Sequence, residues 1–152
     1  MATVAKHATE IPRSGIRDVF DRVEQIPDAI SLCLGEPGET ASAHIVEAAC
    51  ASLQAGKTKY TDVLGIPEFR KAAIDYTSRV KGLYYDANTE IQAVDGATIG
   101  LYLAIKAVVD PGDEVIIPSP YFTSYDAEVL MCDATPVTVA LKPEHGMHVN
   151  AE

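Results

Sequence analysis

The chain has 152 residues, of which 47% are hydrophobic and 22% charged, so its composition is that of about one globular domain rather than of a disordered chain. Its net charge of −10, from 22 acidic and 12 basic residues, argues against binding to nucleic acid or to an anionic membrane. The cysteines, Cys33, Cys50 and Cys132, lack CxxC spacing, and we expect free thiols in a reducing cytoplasm. The N-terminus has no apolar h-region, and no stretch approaches 18 consecutive apolar residues, so we expect neither a signal peptide nor a membrane span.

The N-terminal part begins with residues 1–12, which we expect to form a mobile arm. Ser14 is a candidate N-cap for a first helix, which Pro27 would end. Its apolar residues recur at i, i+3, i+4 and i+7, the spacing of one helix face: Ile16, Val19, Phe20 and Val23. Residues 30–34 then predict a short strand, which the glycines and proline of 35–38 would break.

Two further helices are predicted in the next part of the chain. Ser42 caps the first, with Ile45, Ala48, Ala49 and Leu53 along one side, and Gly56 lies where a helix-terminating glycine belongs. Pro67 suits the first position of the second helix, which Gly82 would close. Its apolar stripe comprises Phe69, Ala72, Ala73, Tyr76 and Val80.

A βαβ unit follows. The apolar run 91–94 predicts a strand, and a mostly apolar helix that we expect to be buried begins at Thr98. Proline and glycine at 110–113 stop this helix, and residues 114–117 are rich in β-branched residues and predict the second strand. A strand, a helix and a strand in succession indicate a parallel sheet with a right-handed crossover.

The last part of the chain predicts one more helix and one more strand. The helix would carry Tyr125, Val129 and Leu130, and residues 136–140 alternate as a strand does. With the short strand at 30–34, the sequence predicts one N-terminal strand and three strands of a parallel sheet. We expect one edge of that sheet to be exposed.

The turn formed by Gly96, Ala97 and Thr98 is the first candidate site. A helix that begins here directs unpaired backbone N–H groups outward, and its dipole favours an anion such as phosphate. Thr98 adds a hydroxyl donor. The alternative is an ordinary strand-to-helix turn in which Thr98 is only the N-cap. The residues alone leave both interpretations open.

Six segments together resemble the class I/II aminotransferases, pyridoxal-phosphate enzymes of fold type I. They are residues 14–17, 30–37, 59–61 with 65–70, 96–98, 110–115 and 118–125, in family order over nearly the whole chain. The resemblance implies an α/β fold: an incomplete three-layer αβα large domain with a mostly parallel sheet and an N-terminal helical arm. Residues 1–40 would form the arm, first helix and short strand, and residues 41–152 the first, truncated part of the cofactor-binding domain.

The resemblance also implies roles for single residues. Residues 96–98 match the cradle of the cofactor phosphate, and Phe122 matches the aromatic that stacks on the pyridine ring. Tyr60 matches a tyrosine that reaches the phosphate of the neighbouring subunit in the family dimer. Gly35 matches a glycine beside the substrate carboxylate. Without the resemblance, Phe122 would be a core aromatic, Tyr60 a surface tyrosine and Gly35 a loop glycine.

The sequence departs from the family pattern in two ways. Residues 38–39 and 41–42 replace the Asp-Phe and Thr-Pro pairs expected on the substrate side, which leaves substrate preference open. None of the seven lysines, at 6, 57, 59, 71, 81, 106 and 142, occurs in the context of the Schiff-base lysine. Lys106, about 12 Å along its helix from Thr98, should face away from the cradle. We therefore expect no catalytic residue in this chain and no activity from it alone.

The implied function is amino-group transfer from an amino acid to a 2-oxo acid with pyridoxal 5′-phosphate, in a cytoplasmic homodimer or with a complementing C-terminal part. Alternatives are a non-catalytic remnant or interaction module, and a fragment of a related pyridoxal-phosphate lyase. A dinucleotide-binding domain would need GxGxxG and an acid after the second strand, which here ends in residues 117–119, Ile-Pro-Ser.

Overall fold

A computed structural model describes residues 3–11, 14–33 and 35–150. Its elements are α1 (Lys6–Glu10), α2 (Gly15–Val23), α3 (Ala43–Gln54), α4 (Pro67–Lys81), α5 (Ala97–Val108), β1 (Glu114–Ser119), α6 (Tyr125–Leu130), β2 (Thr135–Ala140) and a 3-10 turn, Pro143–His145. The chain divides into two compact units. We call Met1–Gly35 with Gly96–Glu152 the sheet unit, and Glu36–Asp95 the helix unit.

The sheet unit is built on a parallel pair of strands joined by α6. The register runs from Glu114 opposite Thr135 to Ser119 opposite Ala140. A small apolar cluster of Ile117, Val129 and Ala134 is buried against α6, with Ile105 and Val109 of the α5 end packed on it. Branched side chains suit this position because a parallel strand with a helix crossing over it is covered by apolar contacts.

The ends of the strand pair are tied by further backbone hydrogen bonds. The amide of Thr135 donates to the carbonyl of Asp113 (2.8 Å), and the amide of Leu141 donates to the carbonyl of Ser119 (2.8 Å). The amide of Gly112 donates to Asp133 (2.9 Å), so the turns that precede the two strands are joined directly. These hydrogen bonds extend the bonding of the strand pair beyond both of its ends.

The helix unit follows the predicted helix signals. Ser42 occupies the N-cap position of α3 and Pro67 the first turn of α4, although neither helix has a side-chain cap. Gly56 and Gly82 have φ angles of 72° and 68°, the left-handed conformation in which glycine ends a helix without strain. The predictions of these two helices and of their ends are confirmed.

The number of strands was wrong. Neither residues 91–94 nor the described residues of 30–34 form a strand, and residue 34 lies outside the described part. The described residues therefore form two strands instead of four, and their sheet has two strands instead of three. A strand needs a neighbour to accept and donate its backbone hydrogen bonds. Segment 91–94 has such a bond from the amide of Ala93 to the carbonyl of Leu64 (2.9 Å), within the helix unit, and no ladder.

The predicted burial of the helices was also wrong. No residue of α5 is buried, and the predicted stripe of α4 is exposed at Phe69, Tyr76 and Val80. The side of α4 with less exposure instead carries Arg70, Ala73 and Thr77. The apolar periodicity predicted the helices correctly, but it did not predict which side of each helix is buried. Burial depends on the segments that pack against a helix, and these are distant in sequence.

Two smaller expectations concern the N-terminus and the domain division. The expected arm contains the short helix α1, and α2 ends at Val23, four residues before Pro27. Residue 12, the last of the arm, lies outside the described residues. The division into residues 1–40 and 41–152 describes functional parts and stays a prediction.

Candidate cofactor site

The N-terminus of α5 is open. Gly96 precedes it with φ 106° and ψ 167°, a conformation that side-chain-bearing residues rarely adopt. No side chain caps the helix. The first-turn amides, from Ala97 to Ile99, have no partner within the helix by its geometry, and the helix dipole adds partial positive charge at this end. These amides are therefore suited to an anion.

A cleft of about 490 Å³ lies between α5 and α6, within the sheet unit. Ala97, Thr98 and Leu101 line its α5 side, and Phe122, Tyr125 and Glu128 line the other. The structure thus brings together Ala97, Thr98 and Phe122, three of the predicted cofactor-binding residues, and Gly96 directly precedes them. None of the described lining residues is a lysine or an arginine, and Lys106, in the last turn of α5, is not among them. The roles assigned to these residues stay predictions.

Phe122 forms an aromatic wall of this cleft. Its side chain is 54% exposed, which argues against the alternative of a core aromatic. Tyr125 meets it edge-on, with ring centroids 6.1 Å apart, and stacks on Tyr121 at 6.2 Å. Such contacts favour a defined ring orientation. Phe122 is therefore held by its neighbours while its surface remains free for a flat ligand.

Two polar side chains of this cleft were missed by the sequence analysis. Glu128 is only 3% exposed, and neither of its carboxyl oxygens has a hydrogen-bond partner in the described structure. The hydroxyl of Ser124 is buried and unpartnered as well. A signal was present, because Glu128 follows Tyr125 by three residues and so lies on the same helix face.

Tyr60 belongs to the helix unit and is fully exposed. It lines a hollow of about 390 Å³ together with Lys57, Lys59 and Thr61. The following turn is ordered by Asp62, whose side chain accepts a hydrogen bond from the amide of Leu64 (2.8 Å) and whose carbonyl accepts one from Gly65 (2.9 Å). Tyr60 is not a lining residue of the α5–α6 cleft, and its assigned role stays a prediction.

Arg70, in the helix unit, is a further residue that the sequence analysis missed. It is 6% exposed, and its guanidinium donates from Nε to the carbonyl of Gly65 (3.1 Å) and from Nη1 to the carbonyl of Ala87 (2.9 Å). Gly65 has φ 92°, and a Cβ there would lie 2.5 Å from the Cβ of Ala93. The only sequence signal was the helical spacing of Arg70 with Ala73. Arg70 therefore fixes the turn that follows the Tyr60 loop.

Gly35 is exposed, and a Cβ added there would meet nothing within 4 Å. The contacts of the described residues therefore do not explain a glycine at this position, and its assignment to the substrate carboxylate stays a prediction. Within the described residues, no group of three or more His, Cys, Asp or Glu side chains could hold a metal ion. The described helices are too short or too polar for any of them to cross a membrane.

The helices and the parallel strand pair define an α/β protein, and comparison with known proteins shows its family. The family model for aminotransferase class I and II matches residues 27–152. The chain belongs to this family, whose members use pyridoxal phosphate, and its structural neighbours are fold type I aminotransferases.

Individual relatives are similar along most of the chain. Aspartate aminotransferase from Pyrococcus horikoshii is 39% identical over 93% of this chain, and that from Rhizobium meliloti is 40% identical over 95%. A crystal structure of the Rhizobium meliloti aspartate aminotransferase matches 99% of the chain with a TM-score of 0.90 at 35% identity. The chain spans only 36%, 35% and 38% of these relatives' lengths.

Proposed function

We propose that this chain forms the part of an aminotransferase that holds the cofactor phosphate and one face of the cofactor ring. The whole protein would transfer an amino group from an amino acid to a 2-oxo acid. The observation that carries this proposal is that the uncapped N-terminus of α5 and the exposed face of Phe122 open onto one cleft, in a chain of this family. The relatives' names support amino transfer over the lyase alternative.

The residues present fit pyridoxal 5′-phosphate. The volume of about 490 Å³ is within the usual range of small-molecule sites. The first-turn amides of α5 would donate hydrogen bonds to phosphate oxygens, together with the Thr98 hydroxyl, and Phe122 would cover the ring. Bound there, the cofactor supplies an electron sink for the bonds at the substrate's α-carbon.

The 152 residues by themselves, we propose, do not catalyse transamination. This rests on the contexts of the seven lysines and on the absence of lysine and arginine from the cleft lining. A reactive amine must reach both the cofactor and the substrate proton. What these residues contribute is binding and orientation.

A homodimer in the cytoplasm is the assembly that we propose for the whole protein. The exposed side chain of Tyr60 and the tied turn behind it support a contact with a second copy. The described chain has three free cysteines, which support a reducing compartment. Substrates are proposed only as a class, because the relatives carry different names: aspartate aminotransferase, aspartate/prephenate aminotransferase and probable N-acetyl-LL-diaminopimelate aminotransferase.

A second candidate function is an interaction module without catalysis, which pairs with a separate polypeptide. The specific observation in its favour is the exposed apolar face of α4, with Phe69, Tyr76 and Val80 each more than half exposed. Retained affinity for the cofactor phosphate would favour the aminotransferase part over this alternative.

Equilibrium dialysis with pyridoxal 5′-phosphate and with pyridoxal tests the proposed phosphate site. We expect the phosphorylated compound to bind at least about tenfold more tightly, because only it uses the α5 amides. Thr98→Val should reduce that preference several-fold, whereas Thr89→Val, on an exposed turn of the helix unit, should not. Equal affinity for both compounds would contradict the proposal. An absorbance change on adding amino acid would contradict the proposed inactivity.

A further inference from the structure

The carboxyl group of Glu128 has no hydrogen-bond partner among the residues that the structure describes. It is 3% exposed, lines the α5–α6 cleft, and both oxygens lack a hydrogen bond within the described residues. Burying a polar group without a hydrogen bond costs free energy, so such groups in native proteins need an explanation. The neighbouring hydroxyl of Ser124 is unpartnered as well. Two unpartnered oxygen-bearing groups in one cleft indicate that the cleft accepts hydrogen bonds from something that enters it.

The rest of the cleft limits what can enter. Among the described residues, its lining offers no lysine or arginine that could turn toward Glu128. It contains the positive N-terminal end of α5 at Ala97 and Thr98, and it extends along α5 to Ala104, about 10 Å at 1.5 Å per residue. Leu101 and Phe122 contribute apolar surface to the same lining. The cleft therefore presents one positive and one acidic feature within the length of a small molecule.

We propose that the cleft binds a zwitterionic ligand: an anionic group at the α5 amides, a flat apolar body against Phe122, and a protonated nitrogen that donates to Glu128. Glu128 is then a ligand-binding residue, and Ser124 is a second acceptor beside it. The anionic end of this proposal rests on the proposed function, whereas the nitrogen-binding end rests on Glu128 alone.

Two probes separate these ends. Pyridoxamine 5′-phosphate has a phosphate, a flat ring and protonatable nitrogens, whereas benzyl phosphate keeps the phosphate and ring without any nitrogen. By calorimetric titration we expect the wild-type protein to bind pyridoxamine 5′-phosphate at least about tenfold more tightly, as a charge-assisted hydrogen bond allows. Glu128→Gln should remove most of this preference and leave the affinity for benzyl phosphate unchanged. Glu144→Gln, an exposed acid, is the matched control and should change neither affinity.

The ligand-free protein supplies an independent readout. If Glu128 awaits a ligand, replacing it by an apolar side chain of similar size removes a cost, so Glu128→Met should raise the melting temperature while it weakens binding of pyridoxamine 5′-phosphate. If Glu128 instead binds a cation of another polypeptide segment, Glu128→Met should lower the melting temperature, which overturns the proposal.

The outcomes distinguish this inference from the proposed function. No binding of either phosphate compound would defeat the phosphate site and this proposal together. Equal binding of both by the wild-type protein, or a preference that survives Glu128→Gln, would overturn the role of Glu128 and leave the phosphate site intact. A preference lost in Glu128→Gln, together with a higher melting temperature of Glu128→Met, supports the zwitterion site.

Discussion

The sheet unit and the helix unit differ in the kind of side chain that each one buries. In the sheet unit, Ile117, Val129 and Ala134 form an apolar cluster between a helix and a strand pair. In the helix unit, where every residue from 36 to 95 is described, no hydrophobic side chain is buried. Its one buried side chain is Arg70, which donates to two backbone carbonyls. Apolar packing therefore forms the buried centre of the sheet unit, whereas side-chain hydrogen bonds to backbone carbonyls form that of the helix unit.

This difference predicts different responses to substitution. An apolar cluster loses stability in proportion to the volume removed, and its neighbours adjust in part. A buried guanidinium that donates to two carbonyls cannot be replaced by a side chain of similar size without donors, because the carbonyls then lose their hydrogen bonds. We therefore expect the turn after the Tyr60 loop to depend on one polar side chain, that of Arg70. The described part of the sheet unit depends instead on its apolar cluster.

The largest effect is expected for Arg70→Met. It removes both donors and leaves the carbonyls of Gly65 and Ala87 without them, which should destabilise the helix unit by about 3 to 4 kcal/mol. Hydrogen exchange at the amides of Leu64 and Ala93 measures this loss. Arg79→Met is the control, because Arg79 is exposed and only approaches the ring of Tyr76, at 5.8 Å. Equal loss of protection in both variants would refute the role of Arg70.

An intermediate effect is expected for Gly65→Ala. Its cost combines the positive φ of 92° with the 2.5 Å approach to Ala93, about 3 kcal/mol in all. Gly82→Ala is matched to it, since Gly82 has φ 68° and open space around the added Cβ. Denaturant unfolding should give about 1 kcal/mol for the control. If both variants lose the same free energy of unfolding, the positive φ alone would account for the cost at Gly65, and the close approach to Ala93 would contribute nothing.

The smallest of the three effects is expected in the sheet unit, for Val129→Ala. Val129 is 1% exposed in the apolar cluster, so its truncation should cost about 2 kcal/mol. Val139→Ala, at a position 43% exposed on β2, should cost well under half as much. Thermal unfolding compares them. A similar loss at both positions would mean that the cluster is not the core of this unit.

Much of the fold was predictable because it depends on local chemistry. The helix over 67–81 follows from proline at its start, glycine at its end and apolar spacing between them. The strands β1 and β2 follow from β-branched residues between turn signals. The segments 30–34 and 91–94 have the same apolar character, yet they form no strand in the described residues. Pairing is the missing requirement, and it depends on partners far away in sequence.

The candidate site was predictable to a similar extent. Helix geometry and the family resemblance together pointed to residues 96–98 and Phe122, and the structure brings Ala97, Thr98 and Phe122 to one cleft. Glu128 and Arg70 were not predicted, since each resembles an ordinary charged residue of a helix. Their burial and their partners are properties of the packed chain.

The sequence by itself determined the family, the order of the helices and the open helix terminus at Gly96, because turns, caps and periodicity act over a few residues. Only the tertiary structure decided which described segments pair as strands, with 30–33 and 91–94 left out. It also decided that Arg70 ties the turn beyond Tyr60, and that Glu128 is buried with no hydrogen-bond partner among the described residues. These outcomes depend on which distant groups meet, and on the free energy of burying polar groups where they meet.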